Sequence, residues 1–180
     1  MKNKVNVKWL VQIVLISFSV SVVFTFASSE ILASAGYVTA FVVLAIFIGI
    51  GILFDIIGVA VTTAEPKPFH SMASHKERGA AEALRLMKNA EKVASICNDV
   101  VGDISGIVSG STSAIIVANL MRDFSTQNIL ISLVVSGVVA SLTIGGKALG
   151  KTFAMNSSTT IVLCVGKIMN IKTRLFGKKR

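Results

Sequence analysis

Long apolar runs separated by short polar links set the pattern of the chain. Trp9 to Ala27 is the first run. Tyr37 to Thr63 is the second, and its one charge, Asp55, sits toward the far end. Val93 to Leu120 is the third and the most polar, with Ser95, Asp99, Asp103, Ser109 and Ser113 among its apolar residues and glycines at 102, 106 and 110. Asn128 to about Ile144 is the fourth, with a helical pattern that can continue through Lys147. Each approaches or exceeds the roughly 20 helical residues that span a bilayer's hydrocarbon core. The pattern predicts an all-α integral membrane protein with four transmembrane helices and an amphipathic juxtamembrane helical segment. The expected division is an N-terminal transmembrane helix and link over 1–35, a transmembrane domain over 36–171 and a basic cytoplasmic tail over 172–180. Ala33-Ser34-Ala35 resembles a signal-peptidase site. The run before it is longer than the usual apolar segment of about 7–15 residues, which favours an uncleaved helix.

The links differ in kind. Glu65-Pro66-Lys67-Pro68 ends the second run, since proline lacks a donor and restricts the residue before it. From Phe69 to Lys92, the charges Lys76, Glu77, Arg78, Glu82, Arg85, Lys88, Glu91 and Lys92 alternate with Phe69, Met72, Ala80, Ala83, Leu84 and Met87 at helical spacing. One or two amphipathic helices on the membrane surface would give this pattern, and so would a solvated cytoplasmic hairpin. Ser158 to Ile171 is short and contains Lys167, as an interfacial or cytoplasm-facing helix would.

Composition supports the membrane class: 53% of the 180 residues are hydrophobic, 15% are charged, and mean hydropathy is +0.76. The net charge of +9 could suggest nucleic acid in a soluble protein. Here the basic residues cluster at the ends of apolar runs, as the positive-inside rule requires, and no nucleic-acid partner is expected. Lys2, Lys4 and Lys8, segment 64–92 and the tail all fall inside if four spans leave both termini cytoplasmic, in the plasma membrane. Cys97 and Cys164 read as small buried hydrophobes, and His70 and His75 as interfacial side chains.

The chemistry lies in the charges inside apolar runs. A charge at the centre of a span costs about 2.5–3.5 kcal/mol on insertion scales and faces a bundle interior, a partner or an ion path. In the four-span topology Asp55, Asp99, Asp103 and Lys147 all come to the cytoplasmic third of the membrane. The candidate metal ligands are Asp55, Asp99 and Asp103, with Gly102 and Gly106 allowing close helix approach. Asp99 and Asp103, four apart, suit equally a cation site and a tight packing seam. Lys147 can act as an internal counter-ion, oppose a bound cation, or snorkel to the surface with Lys151.

Gly145 to Thr152 reads GGKALGKT and matches the phosphate-loop pattern G-x-x-x-x-G-K-[ST]. That chemistry needs a strand before the loop and a downstream acid for magnesium. The preceding run is too long for an ordinary strand, and no apolar run ending in Asp or Glu follows. No nucleotide and no enzymatic activity are expected.

Phe54 to Ala60 (FDIIGVA), Arg78-Gly79-Ala80, Leu84-Arg85-Leu86, and Gly146 to Lys151 (GKALGK) followed by Thr152 to Asn156 (TFAMN) occur in that order over residues 40–170. Their order and spacing resemble the transmembrane domain of the CorB/CorC and cyclin-M magnesium transporters. The resemblance implies a homodimer that binds a divalent cation, most plausibly magnesium, with membrane lipids as partners. Asp55 stands at the family's first serine position and Lys147 at its glutamate position. The G-N-N element is approximated by Gly102-Asp103. The cytoplasmic nucleotide-sensing domains of larger relatives are absent, so a separate regulatory chain is a further expected partner. The rival expectation is a non-transporting membrane scaffold with an internal Lys–Asp pair.

Overall fold

A computed structural model describes residues 7–33, 36–123 and 129–176, and all regular structure among them is helical. Lys2, Lys4, Ser34, Ala35, the rest of the 121–127 loop beyond Asp123, and residues 177–180 of the basic tail lie outside the described residues. The elements are α1 (Val7–Ala33), α2 (Tyr37–Thr63), α3 (Pro66–Ser74), α4 (Ala80–Lys88), α5 (Ala90–Ala94), a π-helical stretch (Ser95–Gly102), α6 (Asp103–Asp123), α7 (Ile129–Asn156) and α8 (Ser158–Phe176).

Four helical stretches are long and apolar enough to cross a membrane: Val7–Glu30, Tyr37–Thr63, Ala90–Asp123 and Ile129–Asn156. The third and fourth are longer than the apolar runs alone indicate. α7 continues to Asn156, so Lys147 and Lys151 stand within a helix rather than after it. The phosphate-loop pattern therefore lies in a helix interior, where backbone N–H groups are committed to the i→i−4 ladder. The amphipathic segment forms α3, α4 and the short α5. Pro66 opens α3 at a position that needs no donor, and Glu65 before it is extended (φ −83°, ψ 137°).

The chain gathers into two compact units, residues 1–52 with 99–146 and residues 53–98 with 147–180. In the first, α1 packs along α6. Val100, Ile104 and Val108 pack with Ile13, Val20, Phe24 and Phe47, and the Phe24 and Phe47 rings meet edge to face at 5.7 Å. Ala40, Leu44 and Ile116 form a second small cluster with Ile48, Leu120 and Val139. The Tyr37 hydroxyl donates to Asp123 and ties the start of α2 to the end of α6.

In the second unit, α4 packs on α3 and on α8. Phe69 and Ala83 are fully buried with Ala60, Val61, Leu86, Ala154 and Val162. The turn between α3 and α4 uses two positive-φ residues, Lys76 (57°) and Gly79 (86°). Gly79 meets Gly166 of α8 backbone to backbone: a Cβ on Gly79 would lie 2.5 Å from the Lys167 nitrogen, and one on Gly166 would overlap the Gly79 carbonyl oxygen. Asn170 donates to Glu82 at 2.8 Å, and Lys167 lies 3.8 Å from Glu77.

Candidate cation site

Asp55 is the one buried acid among the described residues, 5% exposed. It lies in the part of α2 that belongs to the second unit, three residues before Gly58, so the two share a helix face. The Asn98 carboxamide rests directly on Gly58. A Cβ there would overlap Asn98 Oδ1 and come within 2.7 Å of its Cγ. Gly58 thus leaves room for the Asn98 side chain one helical turn from Asp55. Asn98 comes from the π-helical stretch, where i→i+5 winding changes which residues share a face.

Asp55 Oδ2 and Asn98 Oδ1 are both buried without a hydrogen-bond partner. Leaving such a group unsatisfied costs about 1–3 kcal/mol, more if charged. Both atoms are acceptors. A water or a cation would satisfy both, and two hard oxygens suit a hard cation.

The other predicted ligands are placed differently. Asp99 and Asp103 are exposed, on the side of their helix that also carries the outward Ile96 and Ile107. Gly102 is buried, Lys147 is half-buried and Lys151 is exposed. Among the described residues no group of three or more His, Cys, Asp or Glu side chains is gathered as a metal cage would require. The tight seam also differs from expectation. A Cβ on Gly51 would lie 3.2 Å from Ser105 Cβ and 3.7 Å from the Gly102 carbonyl oxygen, whereas Cβ atoms at Gly106 and Gly110 would meet nothing within 4 Å. Gly51 and Gly58 of α2 give the close approaches, with Gly102 as a partner in one of them.

Asn98 was not singled out from the sequence. A neutral amide in an apolar helix raises no alarm of the kind a charge does. The one signal was its place beside Asp99 within an apolar run. Comparison with protein-family models, curated proteins and solved structures returned no match.

Proposed function

We propose that this is a plasma-membrane protein that binds a hard divalent cation, magnesium first, at Asp55 and Asn98, and carries it across the bilayer. The observation that supports the reading is the pair of buried acceptor oxygens, Asp55 Oδ2 and Asn98 Oδ1, neither of which has a donor. Magnesium keeps several of its waters and takes one or two carboxylates, so two protein oxygens near a hydrated ion suit it better than a dedicated all-protein cage. Asp99 and Asp103, exposed on the helix that carries Asn98, add negative charge that raises the local cation concentration. Both termini are cytoplasmic in this reading, and the resemblance to CorB/CorC proteins adds a homodimer. The rival reading is a non-transporting scaffold in which Lys147 pairs with an acid; the unpartnered Oδ2 of Asp55 weighs only against Asp55 as that acid.

The test is thermal unfolding of the purified protein in detergent with and without millimolar magnesium, comparing wild type with Asp55→Asn and Asn98→Ala. A ligand that binds only the folded state stabilises it by about 2.7 kcal/mol at a hundredfold excess over its dissociation constant. Magnesium should raise the midpoint of the wild type, with the shift lost in Asp55→Asn and reduced in Asn98→Ala. An undiminished shift in Asp55→Asn, or none in the wild type, would reject this site.

A further inference from the structure

Within the first unit, α6 buries a column of hydroxyls: Ser105, Ser109, Thr112 and Ser113 are each 3% exposed or less. Their protons are used unevenly. Ser109 donates to the Ser105 carbonyl at 2.7 Å, and Thr112 lies 3.4 Å from Ser28 of α1. Ser105 Oγ and Ser113 Oγ have no partner. Beside this column α6 and α7 form an open groove of about 250 Å³, lined by Ser109, Ser113, Ser136 and Thr143, by the apolar Val139, Ala140 and Ile144, and by Gly106 and Gly110. Thr143 donates its own proton to the Val139 carbonyl at 2.8 Å.

We infer that this groove holds water within the membrane-spanning part of the protein, against the hydroxyls of its α6 and α7 walls. The volume exceeds the roughly 30 Å³ that one water occupies in the liquid several times over, and a buried water needs 2–4 polar partners. Ser109 and Thr143 have spent their protons on backbone carbonyls, so they offer lone pairs to the groove. Ser113 is 97% buried and offers an unengaged hydroxyl. Water is both donor and acceptor and can satisfy all three. A lipid chain can satisfy none of them, and the Ser113 hydroxyl left bare in an apolar medium is costly. The missing side chains at Gly106 and Gly110 keep the space open, since a Cβ at either would stand in it unopposed.

The test is cysteine accessibility in the full-length protein in intact membranes. Ser113→Cys and Ser136→Cys are treated with a small, charged, water-soluble thiosulfonate, and labelling at each position is read by peptide mass. Ile107→Cys, on the exposed apolar side of α6, is the comparison. The thiolate is the reacting species and forms where water solvates it, so the groove positions should react at least about tenfold faster than position 107. Equal or slower labelling at both 113 and 136, with a lipid-soluble maleimide reacting instead, would show a groove filled by hydrocarbon or by another helix and would overturn the inference. If Ser113→Cys does not accumulate in the membrane, Ser136→Cys on the opposite wall decides alone.

Discussion

Both units bury apolar clusters, but they differ in what they bury beside them. In the second, the interior is Phe69, Val61, Val162 and Leu86, while Glu77 and Lys167 lie half in solvent. In the first, the buried polar residues are Ser28, Ser105, Ser109, Thr112 and Ser113, while Phe18, Phe26, Leu133 and Val134 point outward. Asp55 apart, the second follows the rule of water, apolar inside and charge outside. The first follows the rule of the bilayer, where lipid is as apolar as leucine, so close packing and hydroxyl contacts bring helices together. One chain uses both rules because its segments meet different solvents.

The sharpest way to break this contrast is to make the same substitution on each side of it. Phe69→Ala should lower stability by about 3–5 kcal/mol, as truncation of a fully buried aromatic does, whereas Phe18→Ala, at a site 69% exposed, should change it by no more than about 0.5 kcal/mol. Denaturation in mixed micelles followed by circular dichroism measures both. Equal losses would mean that the first unit also depends on a large-side-chain core.

A smaller effect is expected at the glycine crossing. Gly79→Ala forces an L residue into φ 86° and drives its Cβ against the Lys167 nitrogen, together costing about 2–4 kcal/mol. The loss should appear as earlier proteolysis of the α3–α4 turn and a lower unfolding midpoint. A variant as stable as wild type would show that α4 and α8 do not meet there backbone to backbone.

The smallest effect belongs to the hydroxyls. Thr112→Val removes the contact to Ser28 while keeping volume, and a double-mutant cycle with Ser28→Ala should return a coupling near the ~0.6 kcal/mol average of polar contacts within membranes. A coupling several times larger would make the hydroxyl column the organising feature of the first unit.

Much of this architecture was legible in the sequence. Apolar runs of spanning length are a strong signal, and Glu65 to Pro68 separates α2 from the amphipathic α3 and α4. Faces were harder to read. Where nearly every residue is apolar, as in α2, periodicity does not tell a lipid-facing side chain from a packed one. Asp99 and Asp103 share a face, as their spacing suggests, but that face points outward. The π winding from Ser95 to Gly102 interrupts the 3.6-residue period that such arguments assume, and it delivers Asn98 to Gly58. No residue in that stretch announces it.

The burial of Asp55 also bears on how the protein is made. α2 carries sixteen Leu, Ile, Phe or Val residues, each contributing about −0.3 to −0.6 kcal/mol to insertion against about +2.5 to +3.5 for a central aspartate. The helix can therefore leave the translocon for lipid with Asp55 aboard, before the third span has entered the membrane. For that interval the carboxyl waits in the bilayer without the third span beside it. The proposed site would be completed only when the third span arrives, so its order of assembly would be the order of translation.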